Sequence, residues 1–429
     1  MVRRAPFTVL LTVFSVLLAS HGGAAHAATT SVPRPTEGGA GGYTVPEAEP
    51  YSSVRVVVHY VATGKDAPPL NDDDRDGVAD YVEQIGAAAD TALSFYSVHG
   101  FRAPHPDAAG PDPRPDIYVK RRDSAIFGLA VPPTTASGGS FLEISPRLDS
   151  NPEEALASLP MTVAHEVFHL VQFAYVRDGS LPGWAAEGTA NAMAQRVFPN
   201  IAELISRAQS DAWLGEPWRS LTDVGDGCQR CYGESAWWLY VDGLGRRVLP
   251  EYFGALGSSK TARAGAGVAT LDRILQRLGH GSLSSAFNTF SVGLYRSSRP
   301  PAAAYAMQTD GQMRASGTIP LAPLAAHYVR VTVPADAEGL AVAVPAVRGE
   351  AARVSLVLGG RKGRLVRAKS FKPGAGSVVT AHFRSAAERR NVGMVITGGV
   401  IAPSAYRLAF VAVATQSNLP GWIAWYKRR

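Results

Sequence analysis

Residues 50–150 combine a strand pattern with one amphipathic helix. Short segments rich in β-branched and aromatic residues predict strands at 54–60, 116–119 and 141–144. Between the first two, Tyr81, Ile85, Ala89 and Leu93 recur at helical spacing and predict a helix over residues 80–98. The pattern therefore predicts a small mixed sheet with a helix inserted in it.

Helical periodicity takes over after residue 158. The segment 159–176 can be helical throughout, and Gly179 supplies a stop signal. A turn at Leu181-Pro182-Gly183 then leads into a second predicted helix over 184–194. Further helices are predicted at 201–212, 234–244, 271–278 and 283–294. These helices would form a lobe that follows the sheet.

The last third of the chain returns to strand patterns. After the Pro/Ala-rich residues 299–304, alternating or β-branched segments predict strands at 327–333, 340–344, 353–358, 376–383, 393–396 and 406–413. Short strands at this spacing are typical of an all-β sandwich. The expected fold class is an α+β domain over residues 51–300, followed by an all-β sandwich over residues 315–429.

The first 50 residues have the pattern of an export signal. Arg3 and Arg4 precede an apolar run over residues 7–19, and Ala25-His26-Ala27 fits a signal-peptidase cleavage site. We expect residues 1–27 to be a signal peptide and residues 28–50 to be a flexible leader or a short pro-segment. No later apolar run reaches membrane-spanning length. The expectation is a secreted protein without a transmembrane anchor.

The charge composition bears on whether the protein binds nucleic acid. The chain carries 42 Lys+Arg against 36 Asp+Glu, a net charge of +6 at pH 7. Many of the arginines lie among acidic residues rather than in a stripe, so nucleic acid is not an expected partner.

A five-residue motif, His165-Glu166-Val167-Phe168-His169, lies in the first predicted helix. Histidines four residues apart share one helix face, so both can bind one metal ion, and Glu166 can accept a proton from a water on that metal. Glu187, at the start of the next helix, offers a third ligand, which leaves the open position of catalytic zinc. The alternative is a core helix with hydrogen-bonded histidines, which leaves the clustering of two His and two Glu unexplained.

HEVFH and the segment Trp184-Ala185-Ala186-Glu187-Gly188-Thr189-Ala190 resemble the gluzincin metallopeptidases, whose third zinc ligand is a glutamate. The resemblance covers roughly residues 50–300, and it is closest to secreted bacterial metalloproteases that pair a calcium-type loop with such a site. It implies a zincin-like catalytic domain, with zinc on His165, His169 and Glu187 and with Glu166 as the general base. It also implies that an edge strand, at 127–131 or 141–144, pairs with the substrate backbone.

A tetrahedral intermediate needs a donor opposite the metal. Tyr232 and Tyr240, which flank Trp237-Trp238, are the candidates, although each could serve only as a core residue. Arg230 could instead recognise a substrate carboxylate.

An acidic loop upstream fits the D-x-D-x-D-G-x5-E calcium pattern. Its expected ligands are Asp72, Asp74, Asp76, the carbonyl of Val78, Asp80 and Glu83. A strand pattern precedes the loop and a helix follows it, so a structural calcium loop with a single helix is expected. The alternative is an acidic N-terminal cap for that helix.

The chain contains two cysteines, Cys228 and Cys231. In an oxidising compartment they are expected to form a short disulfide. A redox-active pair and a second metal site remain as alternatives.

These features predict a secreted zinc endopeptidase that acts on proteins or peptides as a monomer. Two alternatives remain: a catalytically silent binding or adhesion protein on a zincin scaffold, and an aminopeptidase. No Gly-x-Met-Glu-Asn-type segment is visible to hold a free amine, so the aminopeptidase ranks below the endopeptidase. The predicted β-sandwich could contact a cell surface or matrix, an expectation that fold analogy alone supports.

Overall fold

A computed structural model describes residues 33–38, 41–107, 112–122, 127–133, 139–146, 152–200, 215–225, 228, 230–297, 302–306, 314–343, 352–359, 365–371, 378–400 and 406–415. The chain forms two compact units, which we call the first unit (Met1–Asp211 and Val224–Gly267) and the second unit (Ala212–Asp223 and Val268–Arg429). The fold is mixed α+β, as expected. The predicted signal peptide and the predicted helix at 201–212 lie outside the described residues.

The first unit contains a five-stranded mixed sheet. Its strands are β1 (Tyr51–Ser52), β2 (Val57–His59), β3 (Asp116–Val119), β4 (Gly128–Val131) and β5 (Phe141–Ile144), in the order β1-β2-β3-β5-β4. The pairs β2–β3 and β3–β5 are parallel, whereas β1–β2 and β5–β4 are antiparallel. The antiparallel strand β4 therefore lies at the edge of the sheet, and β5, the other candidate for that position, lies inside it.

Helices make up the rest of the first unit. They are α1 (Asp80–Val98), α2 (Pro152–Phe173), α3 (Gly183–Val197), α4 (Ser235–Leu244), α5 (Val248–Ser258) and α6 (Lys260–Arg263), with 3-10 helices at Pro35–Glu37 and Cys231–Glu234. The predicted helices α1, α3 and α4 are confirmed within three residues at each end, whereas α2 begins at Pro152 rather than at residue 159. Helix α5 was not predicted, because Pro250, Gly254 and Gly257 interrupt its apolar pattern.

Helix α2 is the central helix of the first unit. It packs against α1, α3 and strand β4. The Tyr96 hydroxyl of α1 donates to the Ala164 carbonyl of α2 at 2.8 Å, and the Phe168 ring meets the Tyr96 and Phe101 rings edge to face. This packing fixes the position of the HEVFH motif relative to the sheet.

The described part of the predicted leader, residues 33–38 and 41–50, contacts the sheet of the first unit. The Arg34 guanidinium is buried and donates to Asp107 at 2.6 Å, and also to Asp116 and Tyr118. The Tyr43 hydroxyl donates to the carbonyl oxygens of His59 and Val119, at 3.1 Å each. A buried charge network and an aromatic anchor therefore tie this segment to the sheet.

The second unit contains nine described strands in two sheets. They are β6 (Ala302–Ala306), β7 (Arg314–Leu321), β8 (Ala326–Thr332), β9 (Gly339–Ala343), β10 (Ala352–Gly359), β11 (Leu365–Phe371), β12 (Val378–His382), β13 (Val392–Gly398) and β14 (Tyr406–Thr415). The sheet orders are β11-β10-β13-β8-β6 and β12-β9-β14-β7. Apolar residues of both sheets, such as Val354, Met394 and Leu340, form one shared core. This arrangement is a sandwich, as expected.

Within residues 315–429 the described structure departs from the all-β expectation at one short helix, α9 (Ala386–Arg390). The predicted helices at 271–278 and 283–294 are present as α7 (Val268–Arg277) and α8 (Leu283–Ser297), but they belong to the second unit and not to the first. Helix α8 packs against β10 and β13, where Asn288 bonds the hydroxyls of Ser355 and Thr397 at 2.6 and 3.1 Å. The boundary therefore follows Gly267 rather than residue 300. Periodicity identifies a helix but not the sheet that it covers.

Strands β6, β7 and β11 were not predicted. Their small, Gly/Pro-containing or charged sequences carry a weak strand signal. Among the described residues, no helix is both long enough and apolar enough to cross a membrane.

We expect Arg34→Leu to lower the free energy of unfolding by about 3–5 kcal/mol, because it leaves two buried carboxylates without their cation. Urea unfolding measures the change. The matched control is Arg55→Leu, which removes an exposed arginine. Equal effects of the two substitutions would contradict a structural role for the N-terminal segment.

Candidate metal centre

Three side chains of the first unit converge on one point. The Nε2 atoms of His165 and His169 lie 3.1 Å apart, and the Glu187 Oε2 lies 3.2 Å from the first and 3.7 Å from the second. All three residues are only 1% exposed. Helix α2 supplies the histidines from one face, and α3 supplies Glu187 from the second turn after its start at Gly183. The structure thus brings together the three ligands that the sequence predicts.

The spacing of these atoms suits a tetrahedral zinc ion. Zinc bonds of about 2.1 Å place neighbouring tetrahedral donors roughly 3.4 Å apart. The three separations, 3.1, 3.2 and 3.7 Å, lie around that value. Two imidazoles and one carboxylate are also a donor set that zinc accepts. The residues present therefore fit a zinc ion.

The electrostatics of this group also favour a cation. Burial opposes the charge of Glu187, yet the imidazoles of His169 and His165 hold the pKa of its carboxyl below the usual value. In return, Glu187 raises the pKa of His169 although burial opposes its protonation. A buried carboxylate in this position requires a neighbouring positive charge, which a divalent metal ion can supply.

The Glu166 carboxylate lies against the edge strand β4. Both carboxylate oxygens are buried and meet no partner at good geometry, apart from a backbone contact from Ala130. Burial raises the pKa of Glu166 to about 8; the Glu187 carboxylate acts in the same direction and His169 opposes it. Such a group is poised to bind a proton near neutral pH.

The edge strand β4 makes room for this carboxylate. A Cβ on Gly128 would lie 2.5 Å from the Cγ of Glu166, so only glycine lets the strand and the carboxylate approach this closely. This role of Gly128 was not predicted from the sequence. The signal that the sequence offered was an isolated glycine within a strand pattern, which can indicate that another group approaches the backbone closely.

Of the two candidate tyrosines, Tyr232 lies beside the triad. Its ring centroid is 5.9 Å from that of His165, and its hydroxyl bonds the Glu187 carboxylate. Burial, together with the charges of Glu187 and Glu166, raises the pKa of Tyr232 far above its ordinary value, so the hydroxyl stays protonated. Tyr240 is half-buried and stacks on the Trp237 ring.

Two amide side chains contact the histidines, and neither was predicted from the sequence. Asn191 hydrogen-bonds His165, and its Nδ2 donates to the Tyr232 carbonyl at 3.1 Å. Gln172 accepts from the Nδ1 of His169 at 2.8 Å. Each follows a ligand by one helical turn, Asn191 after Glu187 and Gln172 after His169. A buried polar residue at that spacing was the available signal.

The cysteines form a disulfide, with Cα atoms 5.2 Å apart, and this excludes them as ligands of a second metal. A Cβ on Gly183 would lie 2.8 Å from the Cys228 sulfur, so the disulfide packs against the first residue of α3. Cys231 begins the 3-10 helix that carries Tyr232. The disulfide therefore lies within the segment that carries Tyr232 and packs that segment against the start of the Glu187 helix. Arg230, which lies between the cysteines, is buried.

The acidic loop leads from β2 directly into α1, as expected. Ligand atoms of Asp72, Asp74 and Asp80, and of Asp74, Asp76 and Glu83, lie within 4.8 Å of one another in each group. Gly77 has a φ of +95°, as the turn at the sixth position requires. Loss of solvation, with repulsion from Asp76 and the other aspartates, raises the pKa of Glu83. The carboxylates thus repel one another, a strain that a bound cation would relieve.

No model of a known protein family matches this chain, and no curated protein matches it.

We expect the purified protein to bind one zinc ion per chain and His169→Ala to abolish that binding, because two ligands do not hold zinc tightly. Metal analysis after dialysis provides the measurement. His327→Ala, which removes a largely buried histidine of the second unit, is the control and should retain the metal. Zinc retained by His169→Ala would place the metal elsewhere.

Calcium should raise the free energy of unfolding of the zinc-loaded protein by about 2.7 kcal/mol at a calcium concentration 100 times the Kd. Chelation with EDTA, zinc repletion and thermal unfolding with and without calcium test this expectation. Glu83→Gln should remove the gain, and Glu49→Gln, at an exposed position outside the loop, should keep it. Identical melting curves with and without calcium would leave the loop as a helix cap.

Proposed function

We propose that this protein is a secreted, zinc-dependent endopeptidase with a gluzincin-type site in its first unit. The observation that carries the proposal is the buried Glu166 carboxylate, which has no well-aligned partner beside three converging metal ligands. A buried carboxylate without such a partner costs free energy, so its place next to the triad calls for a chemical role.

His165, His169 and Glu187 would hold the zinc. When bound, zinc supplies a Lewis acid for a carbonyl oxygen and lowers the pKa of a water molecule toward neutrality. Glu166 accepts the proton of the attacking water on its carboxylate and later donates it to the nitrogen of the leaving amine. Its pKa near neutrality suits both transfers, although a nearby cation shifts that pKa downward.

Tyr232 would stabilise the transition state. Its hydroxyl is protonated and lies at the triad, from which it can donate to the oxyanion that develops from the scissile carbonyl. Edge strand β4, whose Gly128 approaches Glu166, would align the substrate backbone by β-augmentation.

The alternatives fit the site less well. A binding scaffold has no use for the Glu166 carboxylate beside the metal ligands. An aminopeptidase needs an acidic group for the free amine of its substrate, and the edge strand Gly128–Val131 contains none. Export through the predicted signal peptide agrees with the disulfide, since oxidising compartments preserve such bonds.

Glu166→Gln should lower the rate of protein hydrolysis by roughly 10²–10⁴-fold while zinc content stays unchanged, because only the proton acceptor is lost. A fluorescently quenched protein substrate and metal analysis give the two measurements. Glu251→Gln, on helix α5, is the control. Hydrolysis by the Gln variant at the wild-type rate, or a zinc-loaded wild type that digests nothing, would refute the proposal.

Tyr232→Phe should lower kcat by roughly 10²–10³-fold at saturating zinc and leave KM nearly unchanged, as expected when an oxyanion donor is removed. Tyr240→Phe removes the same hydroxyl from the neighbouring helix and should retain activity. If Tyr232→Phe instead weakens zinc binding and keeps kcat at saturating zinc, the tyrosine only supports Glu187.

A further inference from the structure

Gln172 occupies a position between the two helices that carry the metal ligands. It lies on α2 three residues after His169 and is 1% exposed. Its Oε1 accepts from the Nδ1 of His169 at 2.8 Å, and its Nε2 donates at 2.9 Å to both the Ala186 carbonyl and the Thr189 hydroxyl. One amide therefore links a ligand on α2 to the backbone that immediately precedes the ligand Glu187 on α3.

The partners of Gln172 fix the orientation of its amide. A backbone carbonyl can only accept a hydrogen bond, so the group that faces Ala186 must be the NH₂. The oxygen then faces His169, whose Nδ1 must carry a proton to complete that bond. In the neutral imidazole this leaves the Nε2 lone pair for the metal.

We propose that Gln172 is a positioning residue of the metal centre. It selects the tautomer of His169 that binds the metal, and it fixes the separation of α2 and α3 and hence the position of Glu187. The identity of the metal in this inference rests on the proposed function, whereas the contacts of Gln172 do not.

The neutral amide suits this position better than the carboxylate that often supports a metal-bound histidine. A carboxylate could accept from His169 but could not donate to Ala186 or Thr189, and it would face the Ala186 carbonyl oxygen. The centre also contains two buried carboxylates already, Glu166 and Glu187, and a third would add to the uncompensated charge.

Thr189 completes the link on α3. Its hydroxyl accepts from Gln172 and donates to the Ala185 carbonyl one turn back along its own helix. The oxygen and both N–H groups of the Gln172 amide thus have hydrogen-bond partners. These partners are themselves buried and form further hydrogen bonds or belong to a helix backbone. Such a satisfied network holds a ligand more rigidly than packing alone.

The test compares Gln172→Leu and Gln172→Glu with Gln195→Leu. Gln195 is a matched control, because it is a buried glutamine on α3 whose amide donates to Ser235 and is not bonded to a ligand histidine in this way. Zinc affinity is measured by competition with a chromophoric chelator, and stability by thermal unfolding in EDTA. The Nδ1–H of His169 is followed by NMR of ¹⁵N-labelled, zinc-loaded protein.

Gln172→Leu should raise the zinc Kd by roughly 10- to 100-fold and should lose the slowly exchanging Nδ1–H signal. Gln195→Leu should keep both at wild-type values. Gln172→Glu should keep the signal, because the acceptor remains, while its metal-free form is less stable than wild type.

Wild-type zinc affinity in Gln172→Leu, or equal losses in it and in Gln195→Leu, would overturn the inference. If Gln172→Leu does not fold, absence of the Nδ1–H signal in Gln172→Glu would overturn it. If the wild type binds zinc but digests no protein, the proposed function is refuted and the role of Gln172 is not. If the wild type digests protein and Gln172→Leu retains full zinc affinity, the role of Gln172 is refuted and the proposed function is not.

Discussion

The carboxylate of Glu187 is buried between two imidazoles, and the arrangement of the first unit follows from the need to balance its charge. The interior of a protein tolerates an anion only beside a cation or several hydrogen-bond donors. Helix α2 meets this requirement by presenting His165 and His169 from one face, and α3 supplies the carboxylate from its second turn. The same three atoms form a zinc-sized triangle, so the constraint on stability and the geometry for a metal coincide.

The two faces of edge strand β4 contact different parts of the first unit. Leu129 and Val131 of the edge strand belong to the cluster against which Tyr43 packs, so one face of β4 is covered by the N-terminal segment. The alternate residue Gly128 faces Glu166 on α2. Because side chains alternate along a strand, one strand seals the sheet on one side and approaches the proposed base on the other. The N-terminal segment thus supports the sheet from the side opposite Glu166.

Local sequence was sufficient for elements whose pattern is uninterrupted. The strand and helix predictions for 116–119, 141–144 and 80–98 coincide with β3, β5 and α1, because periodicity, caps and turn residues agree there. It was insufficient for α5, whose pattern contains Pro250, and for α8, which periodicity could not assign to the second unit. The small and polar composition of residues 41–50 also gave no sign that Tyr43 and Glu47 contact the sheet.

The sequence by itself determined which side chains form the candidate metal centre. The i, i+4 spacing of His165 and His169, the adjacent Glu166 and the nearby Glu187 follow from local helical geometry and name the donor set. Only the tertiary structure decided which further groups meet it: Tyr232 rather than Tyr240, the amides of Gln172 and Asn191, and the glycine of the edge strand. The longest of these contacts, between His165 and Tyr232, joins residues 67 positions apart. Such contacts depend on packing directions and burial that no local pattern encodes.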